Sequence, residues 1–311
     1  MTHADRQREG PIESSTDPME APEPTAETRA QARTIRIDHG FIEALQLPGG
    51  PGTPLLVLGG VETGLRRLAG TEELLGRRWS LRRQRRSVTV LGRPIPDDPT
   101  DSDRLMHPRI IAAGVAKALG ELTIGPVAIE AESGGGRISL WLTVDHPELV
   151  DRLILASVAS ETPADSPMAK RMARWIELAE AGEWGRFFGT MAQAMKAANE
   201  GEAGNFAAAA RLQPRPATPE RFIGELRATL DASSFVTSRL AEIDVPTLVL
   251  AGGQDQVVPP DATRLVAERI RGARFELDPQ SGHTVRSSFR GYDELVEAFL
   301  AEGDERGGRA A

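Results

Sequence analysis

Three polar residues follow short apolar runs in this chain: Ser133 after "PVAIEAE", Asp255 after "LVLAGGQ" and His283 after "FELDPQSG". Together these side-chain types do acyl-transfer chemistry. A serine hydroxyl is a weak nucleophile until a neutral imidazole takes its proton, and a carboxylate on the other ring nitrogen fixes the tautomer and stabilises the imidazolium. Their wide separation along the chain is no obstacle, because a parallel sheet gathers reactive groups beyond the carboxyl ends of adjacent strands. Ser133 is followed by Gly134, Gly135 and Gly136. A serine on a sharp strand-to-helix turn needs strained backbone and small neighbours, a demand that Gly135 and Ala131 meet, while Gly136 eases packing of the helix on the strand. The N–H of Gly134 would open that helix and point at a developing oxyanion.

Other chemistries find little support. The chain has no cysteine, which removes disulfides and thiol catalysis, and its five histidines lie far apart without metal-ligand spacing, so no metal or cofactor is expected. A net charge of -8 disfavours a general nucleic-acid binder, which needs a basic face. The local exception is "RRWSLRRQRR", residues 77–86, read as a solvated helix end and loop before a strand, with an anion or acidic-partner patch as the alternative.

The elements that must position the three residues follow from periodicity. "TIRID" and "FIEALQL" alternate as a hairpin pair would, and "LPGGPGTP" is a turn cluster. "LLVLGG", "SVTVLG", "PVAIEAE", "VDRLILASVAS", "VPTLVLAGG" and "ARFELDP" are apolar runs suited to buried strands. Helical patterns separate them: about Leu65 to Leu75, "LMHPRIIAAGVAKALGEL", "SGGGRISLWLTVDHP", "DATRLVAERIRG" with Asp261 as cap and Gly272 past its end, and "GYDELVEAFLAEG". Such alternation predicts an α/β fold with a mostly parallel sheet and helices on both faces. It is interrupted once, over residues 161–242, by a helical insertion in which Ser166-Pro167 and Thr218-Pro219 look like helix starts. Residues 1–32, rich in Pro, Glu, Ser and Thr and without the apolar run of a signal peptide, are expected to be a disordered tail on a cytoplasmic protein; 303–311 are expected to be a flexible tail. No stretch is apolar for the ~20 residues of a membrane span.

The residues Ala131-Glu132-Ser133-Gly134-Gly135-Gly136 are similar to the G-x-S-x-G-G elbow of the α/β-hydrolase fold family, with alanine in the first position. "HPELVDRLILAS" resembles the stretch after the elbow helix, "AGGQDQVVPP" the acid loop and "SGHTV" the histidine loop, in the family's order of Ser, Asp and His. The resemblance covers Thr34 to Glu302 and implies an eight-stranded sheet, core segments at 33–160 and 243–302, and a helical cap at 161–242 roofing the site. It makes Ser133, Asp255 and His283 catalytic, with the acid after the sixth strand, Glu161, as the alternative to Asp255. The family's His-Gly oxyanion loop reads "LGGVETG" here, so that Gly60 keeps the turn and the N–H of Val61 becomes the second oxyanion donor beside Gly134. Where the family often carries Asp-x-Arg-Gly-x-Gly, this chain has "LGRPIPDDP".

A serine hydrolase of a small ester, lactone or thioester is the function this implies. The same triad also serves proline iminopeptidase-like peptidases, C–C bond hydrolases, acyltransferases and lyases, and a non-catalytic ligand-binding member is a third possibility. Glu62 and Glu132 flank the site as substrate-binding candidates, more as hydrogen-bonding groups than general acids; Glu62 in the pocket would favour a cationic or donor-bearing substrate. Of Trp175, Trp184, Phe187, Phe188, Met191 and Met195, most should pack within the cap and one or two should line the pocket. The sequence leaves a homo-oligomer open.

Overall fold

A computed structural model describes residues 30–195 and 218–307, the side chains of Glu62 and of residues 305–307 excepted. An eight-stranded sheet runs through the core. Its strands are β1 (Gln31–Ile37), β2 (Gly40–Leu58), β3 (Arg86–Leu91), β4 (Ile95–Pro96), β5 (Val127–Glu132), β6 (Val150–Ala156), β7 (Thr247–Gly252) and β8 (Arg274–Asp278). The helices are α1 (Val61–Gly64), α2 (Glu72–Arg78), α3 (Ser80–Arg83), α4 (Ser102–Leu105), α5 (Pro108–Leu122), α6 (Gly134–Asp145), α7 (Pro167–Glu180), α8 (Trp184–Met195), α9 (Pro219–Leu230), α10 (Pro260–Arg269), α11 (Val285–Ser288) and α12 (Tyr292–Gly307).

β1 and β2 form the expected antiparallel hairpin, and β2, β5, β6, β7 and β8 follow as parallel neighbours. The turn cluster does its work inside β2. Ala44 to Leu47 pair with Leu91 to Val88, and Leu55 to Leu58 then pair with Val88 to Leu91, so β2 flanks β3 on both edges and reverses direction around Arg86. The Pro- and Gly-rich segment 48–54 makes that reversal.

Side chains alternate across the sheet. Leu56, Leu58, Ile129, Leu153, Leu155 and Val249 pack under α5, α6 and α10, while Leu55, Val57, Ala128, Ile154, Leu248 and Leu250 meet Trp79 and the α12 residues Val296, Phe299 and Leu300. Both faces are therefore apolar, which is why these strands read as unbroken hydrophobic runs. Each fully buried Leu or Ile contributes about 1.5–3 kcal/mol. Glu130 breaks the pattern on the α12 face and is held there by Arg82 and Arg286.

That pairing corrects the reading of residues 77–86 as solvated at Arg82 and Arg86, while Arg77, Arg78 and Arg85 are exposed as expected. Arg82 is fully buried and bonds Glu130, Asp293 and Glu297, and the equally buried Arg86 bonds Asp304. The arginines pin α3 and β3 to β5 and α12. The helix expected from Leu65 begins only at Glu72; before it, Gly70 sits at φ +85 and Glu43 binds the Leu68 N–H and the Arg67 guanidinium, which holds the backbone in a loop. Asp261 lies in the first turn of α10 and Pro259 occupies the N-cap. Within the insertion, Ser166 caps α7 by accepting from Ala169 N, and Pro219 opens α9 although Thr218 makes no side-chain cap bond.

β1 starts at Gln31, inside the expected tail, and α12 continues to Gly307, beyond Glu302; residues 1–29, 196–217 and 308–311 lie outside the described residues. Among the described residues no helix is long and apolar enough to cross a membrane.

Candidate active site

Three of the loops at the carboxyl ends of the strands meet beneath α7, α8 and α9. Ser133 joins β5 to α6 with φ +52 and ψ -122, and its N–H donates to Ala156 O on β6 at 3.0 Å. Such a φ costs a non-glycine residue of order 1–3 kcal/mol, strain that persists because the surroundings impose it. The following glycines make the turn possible. A Cβ on Gly135 would sit 2.1 Å from Leu58 O, and one on Gly136 would sit 2.1 Å from Val158 Cγ2. The first leaves room for β2 behind the turn and the second for packing of α6 on the segment after β6.

Ser133 Oγ lies 3.1 Å from His283 Nε2, and His283 Nδ1 lies 2.8 Å from Asp255 Oδ2. Asp255 Oδ1 accepts from the N–H groups of Val257 and Val258 at 2.8 and 2.9 Å, so both carboxylate oxygens are used and the side chain is fixed. Glu161, the alternative acid, stands near Arg137, whose charge it partly compensates. Burial pulls the His283 pKa down, but the Asp255 charge and hydrogen bond, aided by Glu132, outweigh it and hold the imidazole above its usual value of 6.5. Glu132 is raised by burial, which the nearby positive charges of His283, Arg78 and Arg286 only partly offset. The α8 end abuts these loops, Met195 O and Ala194 O accepting from the N–H groups of His283 and Gln256 at 3.0 and 3.3 Å.

A cavity of about 400 Å³ opens over the serine, with Gly60, Val61, Glu132 and Gly134 among its walls. Gly60 lies on the β2–α1 turn, where a Cβ would be 3.4 Å from Ser133 Cβ. Val61 opens α1 and Gly134 opens α6, so both candidate N–H donors are first residues of helices facing one pocket. The side chain of Glu62 lies outside those described. Trp175, Met191 and Met195 line the cavity with Met168, Met172 and Phe222, more of the cap than expected. Trp184, Phe187 and Phe188 instead pack against one another, mostly edge to face, with ring centroids 5.0 to 6.2 Å apart.

Two residues escaped sequence reasoning. Arg93, in the "LGRP" segment that departs from the family pattern, donates from Nη2 to Gly59 O at 2.8 Å and from its backbone N–H to Gly64 O at 2.7 Å, holding the loop before and after Val61. Its guanidinium also binds Glu225 Oε1 of the cap helix α9 at 2.8 and 2.9 Å. The arginine two residues past the end of β3 was a usable signal; nothing in the chain marked Glu225 among the other cap carboxylates. Among the described residues no three His, Asp or Glu side chains converge on a point that could hold a metal ion.

Comparison with known proteins agrees with this architecture. The chain is 27% identical over 197 residues to a 2-hydroxymuconate semialdehyde hydrolase of Pseudomonas putida, spanning 62% of this chain and 68% of that one. A second protein of that description, from Pseudomonas sp. (strain CF600), is 28% identical over 199 residues, 62% of this chain and 67% of its own. Among solved structures, an α/β-hydrolase enzyme from a Medee basin deep-sea metagenome library superposes with a TM-score of 0.73 at 15% identity, covering 86% of this chain and 97% of that one. An esterase from Exiguobacterium antarcticum does so with 0.69 at 19%, covering 87% and 100%. At such identities these structures speak for the fold alone. Residues 111–286, more than half of the chain, match the family model described as serine aminopeptidase, S33, and the chain is a member of that family of α/β-hydrolase enzymes.

Proposed function

We propose that this enzyme hydrolyses a carboxylic ester, lactone or thioester of a small molecule through an acyl-enzyme on Ser133. The observation that carries the reading is the continuous hydrogen-bonded chain from Ser133 Oγ through His283 to Asp255, at 3.1 and 2.8 Å, opening into an apolar cavity. Ser133 Oγ attacks the carbonyl carbon as its proton passes to His283 Nε2, and Asp255 keeps the ring oriented and its cationic form stable. The negative charge that gathers on the carbonyl oxygen is met by the N–H groups of Val61 and Gly134, preorganised donors each worth about 10²–10³ in rate. The imidazolium then protonates the leaving alcohol or thiol, and water repeats the cycle to release the acid. No cofactor enters these steps.

A fluorophosphonate probe is expected to label wild-type protein at Ser133 and leave Ser133→Ala unlabelled, with p-nitrophenyl ester turnover falling about 10⁴-fold or more in that variant. Failure of folded wild-type protein to react with the probe and with every ester of a panel would refute the reading. A C–C bond hydrolase is the second reading, favoured by the 27–28% identity to the two proteins described as 2-hydroxymuconate semialdehyde hydrolases. It prevails if a carbon–carbon substrate of that kind is cleaved while p-nitrophenyl esters and acyl-CoA thioesters are not.

A further inference from the structure

One corner of the cavity carries polar groups for which the triad has no use. Arg78, the last residue of α2, lines the cavity; its carbonyl accepts from Arg286 Nη2 at 3.5 Å, but its guanidinium makes no hydrogen bond or close ion pair with any described residue. Thr284, next to His283 in the chain, also lines it, and its Oγ1 is buried without a hydrogen-bond partner among the described residues. Glu132 completes the corner, its carboxyl likewise without a hydrogen bond among the described residues. A buried hydroxyl without a partner is costly unless a ligand supplies the missing bond.

The charges decide what that ligand is. Burial lowers the Arg78 pKa, and the neighbouring guanidiniums of Arg286 and Arg66 add to the effect, against opposition from Glu132 and Glu130. Glu130 is already engaged: it accepts from Arg82, Arg286 and Tyr292. Burial raises the Glu132 pKa, and Arg78 is among the positive charges that oppose the rise. The Arg78 guanidinium thus brings to the cavity wall a positive charge with no close ion pair among the described residues, within a chain whose net charge is -8, and in a cavity with apolar walls such a charge concentrates oppositely charged ligands. A cationic substrate group would face the Arg78 guanidinium.

We propose that the substrate carries an anionic group, a carboxylate, that docks between the Arg78 guanidinium and the Thr284 hydroxyl while the reacting carbonyl lies over Ser133. Arg78 supplies the charge-assisted donors and Thr284 a neutral one, so the carboxylate fills the valences that the protein leaves open. Nothing in the nucleophile–base–acid chain is altered; the pair selects which ester is presented to it. The site rests on the hydrolase reading above only in placing a reacting carbonyl over Ser133, since carboxylate binding can be measured without turnover.

Two measurements separate the claims. In the first, kcat/KM is compared for three p-nitrophenyl esters of similar acyl length: the glutarate hemiester, the neutral pentanoate and the cationic 4-(trimethylammonio)butanoate. The hemiester is expected to lead the pentanoate by about 10- to 100-fold at low salt, mainly through KM, the range of a hydrogen bond to a charged group, with the lead shrinking in 0.5 M NaCl. Arg78→Gln and Thr284→Val should each shrink the ratio of hemiester to pentanoate, and Arg78→Lys should restore part of what Arg78→Gln loses. In the second, calorimetry of glutarate binding to wild-type protein should report a site that Arg78→Gln weakens about tenfold or more, with thermal melts verifying that the variants fold. A hemiester turned over no better than the pentanoate, a preference for the cationic ester, or glutarate binding untouched by Arg78→Gln overturns the proposal. If no ester is hydrolysed, the esterase reading fails, and the glutarate titration still decides for or against the carboxylate site.

Discussion

Glu225→Ala removes the α9 half of a buried ion pair, and its cost can be worked from the structure. The Arg93 side chain has no exposed surface and that of Glu225 only 6%; Arg93 Nε and Nη2 both converge on Glu225 Oε1. Arg221, also buried, lies close by, its Nη2 donating to Arg93 O at 3.0 Å, and its pKa is pushed down to about 10 by burial, with Arg93 contributing and Glu225 opposing. Truncating Glu225 leaves two guanidiniums buried without the carboxylate between them. Breaking a buried pair from one side costs about 3–5 kcal/mol. At about 2–4 °C per kcal/mol for a domain of this size, Tm should fall by roughly 6–20 °C. Arg93→Ala should cost a similar amount. The double replacement Arg93→Met with Glu225→Leu strands neither charge and should cost well under the sum of the single truncations. Arg93 Nη2 also holds Gly59 O, so kcat in both single variants should drop by about tenfold, less than the 10²–10³ expected for outright loss of an oxyanion donor. The assay is urea unfolding followed by circular dichroism and tryptophan emission, alongside ester turnover. A Glu225→Ala variant within about 1 kcal/mol of wild type, or a double variant that costs the full sum of the singles, would show that this pair does not tie α9 to the loop at Gly59.

Further outcomes are expected for the pH profile and for the glycines. The rate should depend on a neutral His283; because Asp255 raises its pKa, kcat/KM should climb with pH through a midpoint above 6.5, and a midpoint below that value contradicts the assignment. Glu132 helps raise that pKa, so Glu132→Gln should move the midpoint to lower pH, whereas an unchanged or higher midpoint removes Glu132 from the electrostatics of the pair. In the sheet–helix packing, Gly136→Ala forces a methyl against Val158 and should cost about 1–3 kcal/mol; Gly135→Ala forces one against the Leu58 carbonyl and should cost more, because backbone must move. Gly120→Ala, in α5 with nothing within 4 Å of the new Cβ, should stabilise by about 0.4–1 kcal/mol, and chemical denaturation midpoints check all three.

Much of the site was legible without coordinates. The strands are buried on both faces, so their apolar runs stand out, and the reactive groups lie in the loops that follow them. Ser133 is followed by glycines because the chain must pass within contact of Leu58 and Val158, and a serine before consecutive glycines after an apolar run is a local pattern. Asp255 is likewise local: its Oδ1 binds the N–H groups of Val257 and Val258, two and three residues on. Within residues 77–86, Arg82 and Arg86 misled because an arginine looks solvated when its partners are unseen; Asp293, Glu297 and Asp304 lie some two hundred positions away. The segment 65–71 misled similarly, since Glu43 binds its backbone only after the chain has folded.

Which residues could react, in what order and on which kind of sheet was determined by the sequence itself, since local backbone demands and strand periodicity are written in neighbouring positions. The joining of β2 around β3, the burial of Arg82 against Glu130 and the tie from Arg93 to Glu225 were decided by the tertiary structure alone. Each is a contact between residues far apart in the chain, and the energy of a charge or a hydrogen bond depends on what lies across the gap and how much water has left it.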